Sequence, residues 1–323
     1  MSIVDSNVPG LCLSHRLYNK TVLIVGGGEV TFTRLEKLVP TKCKIHIISP
    51  TLDEKIIKHF GNLITEIDEN SLNYKDFGIP LERSVIYHRK KFCTFEDLDP
   101  PHKLKLEHEI TPSTFKALTD EERVSLTERV VYNNWSLILI CIDNEKVSLD
   151  LYQYCVLKFP NVPINICDRP KLCPIYFGAV AKIGINSLAT PDESCMECMI
   201  SSNGKAPRLA SLLKKDIQRR YANLDVKASC NNIEQLRESL KDNETVVSKF
   251  KNGNIIPTRM GFLIHVTDAF ELFGCQNLDP IKLKQLFIDV YINKSKELPS
   301  KDVLIKEYTK PSIVEQCKNL NIS

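Results

Sequence analysis

Nowhere in the 323 residues does an apolar run approach the roughly 18 residues of a membrane span. The opening Met1-Ser2-Ile3-Val4-Asp5 also lacks the basic start and apolar stretch of a signal peptide. Membrane insertion and secretion are therefore not expected, and the chain reads as cytoplasmic. An excess of one charge is missing too. The 43 Lys and Arg against 40 Asp and Glu leave a net +3, too little for a protein built to hold nucleic acid by its phosphates. There is no internal repeat and no low-complexity tract. His15, His46, His59, His88, His102, His108 and His265 fall without ligand spacing. Cys195-Met196-Glu197-Cys198 is half of a zinc pattern with no second pair or histidine near it. No metal site is expected, and the twelve irregularly spread cysteines read as reduced thiols that serve packing.

What is present is enough apolar mass for a sizeable core: 43% of the residues are hydrophobic and 26% charged. The length calls for roughly two domains with an appended piece. Thr21-Val22-Leu23-Ile24-Val25 is a continuous apolar run ending in Gly26-Gly27-Gly28, and a helical stretch from Glu29 to Leu38 stops at Pro40. Lys44–Ile48, Ser84–His88, Trp135–Ile142 and Val162–Cys167 read as further strands. Leu52–Phe60 and Lys146–Phe159 read as helices, so strand and helix alternate and the sheet is predicted parallel. The irregular stretch from Asp97 to Arg129 is read as a surface insertion. Beyond Asp168-Arg169-Pro170 the alternation ends. Two short strand-like runs, Ile175–Lys182 and Cys198–Ser202, precede a helix from Ala206-Pro207 to about Asn223, with Leu209, Leu212, Leu213, Ile217 and Tyr221 at core spacing. Helices are also predicted over 232–240, 257–273 and 280–291.

Chemistry concentrates at few places. Glycines between a buried strand and a helix let backbone N–H groups approach a pyrophosphate, which the helix N-terminus then stabilises. Gly26, Gly27 and Gly28 offer that turn, although the fingerprint's third glycine is here Thr31. Ser49-Pro50-Thr51, after the second strand, carries no acid before Asp53, so NAD and NADP stay open at this position. Asp168 follows a buried strand at the carboxyl edge of the sheet, where open α/β sheets place ligands. Read alone it is as well a turn aspartate before Pro170. Arg208, Lys215 and Arg219 share one face of the helix from Pro207, with Lys205 just before it. That face suits a polyanion or is simply solvated.

Val22-Leu23-Ile24-Val25-Gly26-Gly27-Gly28-Glu29-Val30, Ser49-Pro50, Asn165-Ile166-Cys167-Asp168-Arg169-Pro170-Lys171-Leu172-Cys173 with Tyr176-Phe177-Gly178-Ala179, and Ser201-Ser202-Asn203-Gly204-Lys205-Ala206-Pro207-Arg208 form an ordered series. On that series the chain resembles the siroheme synthases. The likeness is to the stand-alone bifunctional precorrin-2 dehydrogenase and sirohydrochlorin ferrochelatase, which lacks the methyltransferase domain fused to other members. The resemblance implies a homodimer of α/β class: a Rossmann-like NAD-binding domain over 1–167, a small α+β dimerisation region over 168–224 and a helical domain over 225–323. It implies oxidation of precorrin-2 to sirohydrochlorin with NAD, followed by insertion of ferrous iron, a substrate, to give siroheme. Asp168 matches the catalytic aspartate and Ser202 a serine near the tetrapyrrole. Gly26, Gly28, Glu29, Val30, Pro50 and Thr51 match cofactor-contacting positions, to which Gly27, Ser49 and Asp143 are added as their neighbours at the strand ends. A substrate dense in carboxylates gives Lys205, Arg208, Lys215 and Arg219 an anionic partner. Two alternatives remain open here: a dehydrogenase of the same fold without chelatase activity, and a non-enzymatic nucleotide-sensing protein.

Overall fold

The structure, a computed structural model, describes residues 10–67, 84–90, 95–100, 111–184, 196–241 and 255–311. Its first element, β1 (Thr21–Val25), is buried at every position. It pairs in parallel with β2 (Lys44–Ser49) on one side and β5 (Trp135–Ile140) on the other. With β3 (Ile64–Ile67), β4 (Val85–Arg89) and β6 (Ile164–Ile166) these make a six-stranded parallel sheet of order β3-β4-β2-β1-β5-β6. Alternate side chains of β1 leave on opposite faces. Val22 and Ile24 pack with Leu35 and Leu38 of α1 (Glu29–Leu38) and Ile56 of α2 (Glu54–Phe60). Leu23 and Val25 pack with Leu151, Tyr152 and Cys155 of α5 (Glu145–Lys158). Helices thus cover both faces, the expected α/β Rossmann-like arrangement, and the strand order reverses beside β1, where such sheets open a crevice at their carboxyl ends.

The chain divides into two compact units, one running to Gly178 and including Ser201–Pro207, the other formed by Ala179–Ile200 and everything from Arg208 on. In the second, the antiparallel pair β7 (Ala179–Lys182) and β8 (Glu197–Ile200) is followed by α6 (Pro207–Arg220), α7 (Val226–Lys241), α8 (Ile255–Gly274), α9 (Pro280–Phe287) and α10 (Lys301–Glu307). Leu236, Leu240, Phe262, Val266, Phe270, Leu283, Phe287 and Leu304 close one helical core. Among the described residues no helix is long and apolar enough to cross a membrane.

Several local expectations need correction. The half-exposed β3 was not anticipated. The stretch read as a surface insertion holds two helices, α3 (Pro112–Ala117) and α4 (Asp120–Asn133), and it is anchored near its start, because Leu98 is fully buried and its carbonyl accepts the Trp135 indole N–H at 2.8 Å. Residues 101–110 of it lie outside the described residues. The helix expected from 232 starts at Val226, because the Asp225 side chain accepts the Ala228 N–H at 2.9 Å and caps it. Ile217 and Tyr221 pack inward as expected, but Leu209, Leu212 and Leu213 are 64%, 48% and 47% exposed. Helical spacing identifies an apolar stripe without saying what covers it.

Candidate active site

The three glycines after β1 meet three different demands. Gly26 has φ +114°, and a Cβ there would lie 2.1 Å from the Cys141 carbonyl oxygen, so both conformation and space require glycine. A Cβ on Gly27 would lie 2.1 Å from the Thr51 carbonyl oxygen and 2.7 Å from Ser49 Oγ. This close approach is cross-linked: Asp53 N–H donates to the Gly27 carbonyl at 2.8 Å, and Ser49 Oγ donates to the Thr51 carbonyl at 2.7 Å. Ser49 and Thr51 therefore hold the turn in place. Gly28 is the contrast, since a Cβ there meets nothing within 4 Å. It is also the N-cap of α1, and no side chain caps that helix. Unclaimed amide N–H groups at a helix N-terminus facing open space fit a dinucleotide pyrophosphate in charge and donor chemistry.

Thr31, at the third glycine position, is fully buried, and its hydroxyl donates to the Gly26 carbonyl at 2.9 Å. The departure from glycine thus fastens α1 to the turn. On the rim, Glu29 pairs with Lys55 at 2.6 Å, while Val30, Pro50 and Thr51 are exposed. Asp143 is exposed in the bend after β5. Its neighbour Asn144 caps α5, accepting the Val147 N–H at 3.1 Å.

Asp168 follows β6 at the same edge. Its side chain is 24% exposed, and Oδ2 accepts a hydrogen bond from Ser148 Oγ at 2.9 Å. Ser148, in the first turn of α5, is fully buried, so the carboxylate is oriented by a fixed donor while keeping access to solvent. Arg169 lies 3.2 Å from Glu145 and 4.0 Å from Asp168. Four side chains pin the loop that carries Asp168. Asn165 Nδ2 donates to the Ile175 carbonyl at 3.1 Å, Tyr152 to Leu172 at 2.7 Å, Tyr176 to Pro170 at 2.9 Å and the Cys173 thiol to Ile166 at 3.1 Å.

The serine-rich turn is brought to this loop. Ser202 Oγ accepts the Ala206 N–H at 2.9 Å, and the Lys205 N–H donates to the Ser202 carbonyl at 3.0 Å. Gly204 has φ +76°, and a Cβ there would stand 3.7 Å from the Tyr176 ring. Arg208, Lys215 and Arg219 are exposed on α6, in the other unit. Arg219 shares Asp216 with Arg220, each at 2.6 Å, and the two guanidiniums hold the Asp216 carboxyl below the ordinary carboxylate range.

Sequence reasoning missed Ser148 and a thiol pair. Cys141 and Cys167 stand with their sulfurs 3.4 Å apart, one step beyond β5 and β6. The signal was available, since both lie at the carboxyl ends of strands predicted for one parallel sheet. The hydrogen bond between the two sulfurs, and then the Arg34 guanidinium, bring the Cys167 thiol below its ordinary range. The same hydrogen bond, with burial, pushes Cys141 up. The half-zinc motif falls partly outside the described residues. Among the described ones no three or more metal-binding side chains cluster.

A family described as NAD(P)-binding matches residues 13–179, and one described as the sirohaem biosynthesis protein central domain matches 199–220. The siroheme biosynthesis protein of Saccharomyces cerevisiae is 30% identical over 304 residues, 93% of this chain and 98% of that one. This chain belongs to the siroheme synthase family. The family's Schizosaccharomyces pombe siroheme biosynthesis protein is 23% identical over 276 residues, 85% of this chain and 78% of that one. A solved precorrin-2 dehydrogenase, SirC, covers 86% of this chain and 98% of its own at TM-score 0.48 and 14% identity, a likeness too loose to bear on the site.

Proposed function

We propose that the protein oxidises precorrin-2 to sirohydrochlorin with NAD and then inserts ferrous iron, as substrate, to give siroheme. The observation that carries this reading is the shared sheet edge: the uncapped N-terminus of α1 behind Gly28 and the oriented carboxylate of Asp168 both follow strands of one parallel sheet. NAD, when bound, supplies the hydride acceptor. Amide groups of the glycine turn hold its pyrophosphate, and Thr31 keeps that turn rigid. Asp168 takes the proton released in dehydrogenation, with Ser148 fixing one carboxylate oxygen so that the other faces the substrate. In the second reaction the same carboxylate assists loss of the pyrrole N–H protons as iron enters. The turn of Ser202 and Lys205, adjoining the Asp168 loop through Tyr176, contacts the tetrapyrrole, and Arg208, Lys215 and Arg219 meet its carboxylates. The nine described cysteines are thiols, which suits the cytoplasm, and α6 with its exposed leucines serves a homodimer in which 168–224 is the dimerisation region.

The test is paired initial rates of both half-reactions for Asp168→Ala and Asp168→Asn, with melting curves. General-base catalysis contributes about 10²–10⁴-fold, so dehydrogenation should fall by that much and chelation should fall as well, with NAD binding preserved. The Asn variant keeps the shape and the bond to Ser148 but takes no proton at neutral pH. Near-normal rates for a folded Asn variant would leave Asp168 with only a turn-shaping role.

A further inference from the structure

Cys141 follows Ile140 of β5 and Cys167 follows Ile166 of β6, and Ile140 and Ile166 are register partners. Adjacent strands lie about 4.8 Å apart, inside the span of about 4.4–6.8 Å between Cα atoms that a disulfide bridges. The two sulfurs already face each other at 3.4 Å. Cys141 is buried and Cys167 only half-buried, so an incoming reagent meets Cys167 first. We propose that Cys141 and Cys167 are an oxidisable dithiol at the carboxyl edge of the sheet, closed to a disulfide by hydroperoxides and reopened by small thiols.

The chemistry assigns each sulfur a role. The Cys167 thiolate attacks a peroxide oxygen and the O–O bond breaks, giving Cys167 sulfenic acid and, after protonation, one water. The Cys141 sulfur then attacks the Cys167 sulfur, the S–O bond breaks, and a second water leaves. Two thiols and one hydrogen peroxide become one disulfide and two waters, the sulfurs losing the two electrons the peroxide gains. The surroundings suit this order. Arg34 of α1 and the Cys141 thiol favour the Cys167 thiolate, while Asp168 opposes it and the Cys173 thiol lies within its field. Thiolate reactivity follows such electropositive, partly exposed placement.

Closure takes the sulfurs from 3.4 Å to about 2.05 Å and so draws the residue before Asp168 toward β5. Displacing a reacting group by about 1 Å can cost 10²-fold in rate. This consequence rests on the function proposed above; the dithiol itself does not. The full chain is exposed to a few molar equivalents of hydrogen peroxide, free thiols are alkylated, and the unreduced digest is read by mass spectrometry. The expected product is a peptide pair linked through Cys141 and Cys167 that disappears with dithiothreitol. In Cys141→Ser the sulfenic acid should persist on Cys167 and react with dimedone. Linked protein should oxidise precorrin-2 at least tenfold more slowly and recover on reduction. Recovery of both cysteines alkylated while the exposed Cys12 is oxidised would overturn the dithiol. A link that leaves the rate unchanged would overturn its hold on Asp168, and absence of dehydrogenation in fully reduced protein would instead overturn the proposed function.

Discussion

Gly27 and Gly28 are adjacent and chemically identical, yet they fail in opposite ways. In Gly27→Ala the new methyl must displace the Thr51 carbonyl and Ser49, which are themselves bonded to each other. Such overpacking costs about 1–3 kcal/mol, so a melting curve should shift down by several degrees. In Gly28→Asp the side chain enters open space, and Asp is a favoured N-cap that bonds the free amides of α1. The protein should melt no lower than wild type. The same carboxylate places a negative charge where a pyrophosphate would lie, so NAD affinity and dehydrogenation should fall more than about tenfold, while iron insertion into supplied sirohydrochlorin persists. Calorimetry with and without NAD separates the two variants. Equal loss of stability in both would mean that the open ground at Gly28 is not a ligand's place.

Elements were legible in proportion to how evenly they are buried. β1 and β5 are almost wholly apolar runs because the sheet is covered on both faces, and a run of that kind leaves little room for another reading. β3, with Ile64, Thr65, Glu66 and Ile67 at the sheet edge, carries no such pattern. α4 is led by Asp120, Glu121 and Glu122, and its legible mark was the capping box from Thr119 to Glu122. At the site, Asp168 and the glycines stood in recognisable order. Ser148 carried no mark of its own, because its role comes from a contact 20 residues away. α6 shows what remains beyond spacing alone. Arg208 and Lys215 share a face with Arg219, but Asp216 engages Arg219. Charge-assisted hydrogen bonds are worth about 1–3 kcal/mol, so Arg208→Ala and Lys215→Ala should each weaken tetrapyrrole binding by that amount, and Arg219→Ala by less. Unchanged tetrapyrrole titrations for all three would return the face to solvent.

At the scale of the molecule, the backbone passes between the two compact units at Gly178–Ala179, Ile200–Ser201 and Pro207–Arg208. The last passage lies at the start of α6, the helix that carries Leu209, Leu212 and Leu213 outward at spacings of three and four residues. Leaving a stripe of this kind in water costs free energy. Burying one leucine side chain is worth about 1.5–3 kcal/mol, and in a two-fold interface each residue acts twice. If α6 is the seam of the homodimer, a charge in the stripe must be desolvated twice without a partner. Leu212→Glu should therefore convert the protein from twice 36.8 kDa to a monomer at micromolar concentration in sedimentation velocity. Because Leu212 is absent from the buried core of the unit, far-ultraviolet circular dichroism and melting of the isolated monomer should change little at the first helical transition. A Leu209→Glu, Leu212→Glu, Leu213→Glu variant that still sediments as a dimer would place the interface elsewhere, and a wild-type protein that sediments as a monomer would refute the homodimer.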